Sequence, residues 1–130
     1  MYRRGRSENL VELRDALARG GEPFAISLGN FLDQFYASPS AGALSAEPAP
    51  LAGAVENGDY YDAFLAATAE YLATEYGLAV PAWAGGRSRF LPEPRVTVRN
   101  PKLRDLLLSE CPAPFKRRGV IVSRDALLRV

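Results

Sequence analysis

The sequence predicts a mainly α-helical, single-domain bundle, and three observations carry that prediction. Apolar residues recur at helical spacing in four segments, and glycine and proline punctuate the chain between them. Only residues 95–99 and 120–122 have the pattern of short strands, enough for one two-stranded β-ribbon. The chain has 130 residues, one domain's worth. A domain of that size buries roughly two thirds of the surface its unfolded chain exposes, so a core forms without disulfides or metal.

Residues 1–6 form a basic tail with three arginines. Ser7 is the expected N-cap of a first helix whose Leu10, Leu13 and Leu17 share one face, stopped by Gly20-Gly21. Glu22-Pro23 opens a second helix with proline at its first position. Phe24, Leu28, Phe31 and Phe35 make its apolar stripe, with Leu32 beside it. Gly29 weakens that helix by about 1 kcal/mol relative to alanine. Residues 37–50, ASPSAGALSAEPAP, have little periodicity and predict a long, poorly ordered loop or short linker. A short helix around Pro50 to Glu56 follows, ending at Asn57-Gly58.

The strongest structural signal comes next. Asp59 and Asp62 have the spacing of a capping box, and Tyr60, Phe64, Ala67 and Tyr71 form a stripe flanked by Tyr61, Leu65, Thr68 and Leu72. The two stripes cover about half the helix circumference, which places this helix at the centre of a bundle. Gly77 ends it. Pro81, Gly85-Gly86, Pro92 and Pro94 then forbid a long helix. Asn100-Pro101 reads as N-cap and first position of a helix with Leu103, Leu106 and Leu107 inward, broken by Pro112 and Pro114. Ser123 is the expected cap of a last helix, with Asp125 in its first turn.

Composition excludes several function classes. Histidine is absent, which removes Ser-His and Cys-His catalysis, histidine metal sites and histidine pH switching together. No cofactor or metal site is expected. No apolar run approaches the roughly 18 residues of a membrane span. The start, Met1-Tyr-Arg-Arg-Gly-Arg, leads into an amphipathic segment instead of the apolar stretch of a secretory signal. The one cysteine cannot form an internal disulfide, so a cytoplasmic location is expected.

The net charge of +1 conceals a segregation: residues 1–6 carry +3, residues 7–86 carry −9 and residues 87–130 carry +7. Two readings compete. Either the acidic and basic parts fold against each other, or a basic face stays exposed and meets an acidic partner such as RNA, DNA or an acidic protein.

The individual candidates divide in the same way. Asp59 and Asp62 would serve as a general acid/base pair only if their surroundings pushed their pKa values apart, whereas capping accounts for the spacing directly. Cys111 precedes Pro112 with no histidine to activate it, as expected of a buried, inert thiol. Gly85-Gly86-Arg87 lacks the Lys-Ser/Thr of a phosphate loop. The helical spacing of Tyr60, Tyr61, Tyr71 and Tyr76 assigns most of them to core packing in preference to a base-stacking platform. Trp83 is either a core anchor or an interface anchor. The run Lys116-Arg117-Arg118, followed by Gly119, suits carboxylate or phosphate recognition, against the alternative of a merely solvated turn.

Residues 59–130 also resemble a known family. DYYDAFLAATAEYLATEYGLAVPAWA is followed by NPKLRDLLLSECPAPFKRRGVIVSRDALLRV. The positions that carry the likeness are Gly77-Leu78, Pro81, Trp83, Pro112 to Phe115, Arg118-Gly119, Val120 to Val122 and Asp125 to Arg129. Together they resemble the C-terminal region of actinobacterial helix-turn-helix (XRE-type) regulators and of small antitoxin-like proteins encoded beside nucleotidyltransferase-like toxins. The likeness covers a little over half the chain. The first 58 residues match more loosely and show no recognition-helix pattern. What the resemblance implies is a protein without catalytic residues that works by protein–protein contact, with a nucleotidyltransferase-like toxin as partner.

The expectation is therefore a non-enzymatic partner-binding protein, antitoxin-like or a regulatory accessory. Its contact surface would comprise Trp83, Arg87, Arg89, Phe115, Lys116, Arg117 and Arg118. The alternative is a nucleic-acid-binding accessory domain of a transcriptional regulator. A small enzyme would require a cleft joining Asp62 to Arg87 or Arg89.

Overall fold

Which apolar faces find cover decides how these segments assemble. A computed structural model describes residues 7–128; the basic tail 1–6 and Arg129-Val130 lie outside the described residues. The order is α1 (Leu10–Arg19), α2 (Phe24–Ala37), α3 (Gly42–Ser45), α4 (Gly58–Glu75), two 3-10 turns at Ala82–Gly85 and Arg87–Arg89, α5 (Pro101–Glu110) and α6 (Ala113–Arg117). The protein is mainly helical, as the periodicity predicts.

α4 is the axis of the core. Its face from Asp62 to Ala69 is buried without a break, and Leu72 and Ala73 continue it. Small residues let neighbours approach closely, while Phe64 meets Phe24 from α2 and Phe115 from α6 with ring centroids 5.0 and 5.1 Å away. α1 packs Leu10, Leu13 and Leu17 inward; its cap is Asn9, not Ser7, with the Asn9 side chain accepting from the Glu12 amide at 2.8 Å. Glu12 in turn accepts from the Glu8 amide at 2.7 Å, so two otherwise unpaired donors are satisfied reciprocally. α2 buries Leu28, Phe31, Leu32 and Phe35, and Pro23 stands one position earlier than expected, as the N-cap residue.

Several expectations need correction. The stretch 37–50 is not a loose loop: it contains α3, whose Ala43 and Leu44 are buried, and Pro48 is buried as well. Three side chains hold its carbonyls: Trp83 Nε1 donates to Leu44 O at 3.0 Å, Arg89 Nη2 to Pro48 O at 2.6 Å and Arg14 Nη2 to Pro50 O at 2.9 Å. Residues 50–56 form turns instead of a helix, with Leu51 fully buried and its carbonyl accepting from the Ala54 and Val55 amides. Residues 123–128 likewise make turns in place of a last helix. Leu127 closes onto the core there, and Tyr36 Oη donates to its carbonyl at 2.8 Å. Burial, followed by Tyr76, Tyr71 and Glu75, pushes the Tyr36 phenol up to about 12.

The expected ribbon of 95–99 with 120–122 reduces to one isolated bridge between Arg95 and Val120. Arg95 donates its amide to Gly119 O at 2.8 Å, and Leu91 donates to Arg118 O at 2.9 Å. Pro92 and Pro94 have no N–H to extend that ladder. α5 begins as the sequence predicts, with Asn100 accepting from the Lys102 and Leu103 amides and Pro101 at the first position. Its inward face differs from expectation. Leu103 and Leu106 are exposed, and only Leu107 and Leu108 lean on the core.

Candidate partner-binding surface

The segment 81–91 is short, glycine-rich and cannot hold its shape by backbone hydrogen bonds alone. Two buried arginines fix it. Arg89, 1% exposed, donates to Pro48 O, lies 3.7 Å from the Asp62 carboxylate and 3.4 Å from that of Glu47, and places its Cζ 4.8 Å from the centroid of the Trp83 ring. Asp62 is buried too, and its carboxylate accepts from the Leu51 and Ala52 amides at 2.7 and 3.0 Å. Asp62 thus caps the 51–55 turn across space and not its own helix. Joined in this way, Asp62 and Arg89 are a structural pair.

Arg118, 2% exposed, is the second post. It donates to Ala84 O at 2.8 Å, to Pro114 O at 2.8 Å and to Glu70 Oε1 at 2.6 Å. Its Cζ stands 4.8 Å from the Phe90 ring centroid. One guanidinium therefore ties α6 to α4, to the first 3-10 turn and to Phe90. Each arginine faces an aromatic ring that still reaches solvent: Trp83 is half-buried and Phe90 is 37% exposed. A cation against a ring face attracts it by about 0.5–2 kcal/mol, more as the pair is desolvated.

The seven residues singled out from sequence separate accordingly. Trp83, Arg87, Lys116 and Arg117 reach the surface, whereas Arg89, Phe115 and Arg118 are interior. Phe115 is fully buried against Phe64 and Tyr71. Arg117 and Arg118 share one carboxylate, that of Glu70, so the basic run 116–118 is partly offset from within and keeps a net positive charge. Arg87 and Lys116 are exposed, and neither pairs with a carboxylate among the described residues.

Phe90 and Glu70 escaped the sequence reading. An aromatic residue between Arg89 and Pro92 in a glycine- and proline-rich stretch is the signal that would have found Phe90. For Glu70 no local signal exists, because its partners lie 47 and 48 positions away.

The other candidates have structural places. Asp59 pairs with Arg95 at 3.0 Å, and the hydrogen bond from Arg95 holds its carboxyl below the usual range. Tyr60, Tyr61 and Tyr71 pack at the edge of the core. Cys111 is buried, with Sγ 3.3 Å from Val120 O, and burial pushes its thiol pKa up.

Among the described residues no group of three or more histidine, cysteine, aspartate or glutamate side chains could hold a metal ion, and no helix is long and apolar enough to cross a membrane. In comparisons with known proteins, no family model, no curated protein and no solved structure matches the chain.

Proposed function

We propose that this chain is a non-enzymatic, partner-binding protein of the cytoplasm, antitoxin-like or a regulatory accessory, that masks another protein by surface complementarity. The observation that supports this reading is the pair of buried arginines facing Trp83 and Phe90. Trp83 is anchored by its bond to Leu44 O, and the turn carrying Phe90 is pinned through Ala84 O and the Leu91 amide. Rings held this firmly lose little conformational entropy when a partner covers them. Tryptophan and arginine are the residue types that dominate interface energetics, and exposed Arg87 lies between the two aromatics in the chain. The resemblance of residues 59–130 to antitoxin-like proteins suggests the class of partner, a nucleotidyltransferase-like toxin.

Burial of Arg118 and the pairing of Arg117 with Glu70 disfavour the nucleic-acid reading, since they leave Lys116 as the one base of the run that is both exposed and without an acidic partner among the described residues. Affinity purification of the chain from its native host at micromolar concentration is the test. A second protein in stoichiometric amount is expected, and its retention should fall at least tenfold for Phe90→Ala and for Arg87→Glu. Recovery of the chain with no second protein overturns the reading. Recovery of nucleic acid, lost in proportion to added salt, supports the alternative instead.

A further inference from the structure

α5 is a helix with an outer face that no other described element covers. None of its ten residues is buried, although four are leucines. Ten residues are too few to hold a helix in water without packing. Leu107 and Leu108 supply some packing on the inner side, while Leu103 is 43% and Leu106 49% exposed. At 3.6 residues per turn, Lys102, Leu103, Leu106, Ser109 and Glu110 fall within roughly 120° of one another on the outer side.

The charges on that face are arranged against the helix. Lys102 sits in the first turn, where the dipole is positive, and Glu110 is the last residue, where it is negative. Neither pairs with an opposite charge among the described residues. Their order along the face, base then leucines then acid, is its own complement when reversed.

We propose that α5 pairs antiparallel with α5 of a second copy of this chain, about a two-fold axis passing near Leu106. That register sets Leu106 against its counterpart and Leu103 against Ser109 of the other copy. Lys102 then faces Glu110 of the other copy at both ends, and each charge meets the favourable end of the opposing helix dipole. A single helix pair of this length is a small contact, so association is weak and shows only at high protein concentration. This contact goes beyond the partner-binding reading and uses none of its residues.

Sedimentation velocity of the full chain from 10 µM to 1 mM tests it. A reversible monomer–dimer equilibrium is expected. Leu106→Glu places two carboxylates across the axis and should abolish dimer formation at 1 mM, with an unchanged helical spectrum because the site is exposed. Lys102→Glu and Glu110→Lys should each weaken association severalfold, and the double reversal should restore it. A wild-type chain that stays monomeric at 1 mM overturns the proposal, as does a Leu106→Glu variant that dimerises normally or a double reversal that restores nothing. Phe90→Ala, which tests the partner-binding surface, should leave the dimer unchanged.

Discussion

Arginines of one basic segment can do opposite things. Arg89 and Arg118 are desolvated, surrounded by carbonyls and carboxylates, and placed against rings, so each orders several segments at once. Such a residue is costly to bury and far costlier to strip of its partners, because the uncompensated charge remains inside. Arg95 is the contrasting case. Its pair with Asp59 is bidentate, but the two side chains are 40% and 52% exposed, so solvent screening holds its contribution to about 1 kcal/mol or less. The direction of the pH dependence still follows. Asp59 has a lowered pKa in the folded chain, first through the hydrogen bond from Arg95, so the pair stabilises the fold above the ordinary carboxylate value. That increment is lost as pH falls through the folded value. In Arg95→Ala the Asp59 carboxyl should titrate nearer its ordinary pKa, followed by its side-chain NMR shift from pH 2 to 6. An unaltered titration would show that the Tyr60 amide, at 2.8 Å, holds the carboxylate by itself.

Elements owe their legibility to the range of the forces that form them. α1, α2, α4 and α5 are readable because periodicity and caps are local: Asn100-Pro101 announces α5 in two residues. α3 and the 3-10 turns are not, because donors from 41 and 39 positions away, Arg89 and Trp83, satisfy their surroundings. The turn at 51–55 shows the same principle, with Asp62 accepting its first amides where a local cap was expected. The surface site was half readable for this reason. Residue type flagged Trp83 and Arg87, but burial of Arg89 and Arg118 depends on the segments they pin. The meeting of α4 with that turn allows a sharp test. A Cβ on Gly58 would stand 2.0 Å from Leu51 O and 2.7 Å from the Ala52 amide nitrogen, both of them backbone atoms. Alanine is the better helix former by about 1 kcal/mol, yet Gly58→Ala should destabilise the protein by roughly 2 kcal/mol through overpacking. Urea denaturation decides between the two effects. A midpoint at or above that of the unmodified chain would mean the turn yields without loss.

For the whole molecule, the segregated charge becomes the means of closure. Arg89, Arg95, Arg117 and Arg118 of the basic part reach Glu47, Asp62, Asp59 and Glu70 of the acidic part, joining positions 27 to 48 apart. Of the two readings of that charge, mutual pairing accounts for these four arginines, while Arg87, Arg99, Lys102, Arg104, Lys116 and Arg124 remain exposed among the described residues. Glu70 is the decisive member, since one carboxylate serves an exposed arginine and a buried one together. Glu70→Gln removes that charge with little change of shape. Arg118 keeps its bonds to Ala84 O and Pro114 O but loses its counter-ion, which should lower stability by about 2–4 kcal/mol in urea denaturation. The same change frees Arg117 at the surface, so a polyanion such as heparin should retain the variant more strongly, with a salt dependence steeper by about one phosphate contact. Both effects together identify internal neutralisation as the role of Glu70. Stability equal to that of the unmodified chain would mean the carbonyl cage suffices for Arg118. Unchanged heparin retention would mean that Arg117 already faces outward as a free charge, and the basic run would regain its standing as a contact for acidic partners.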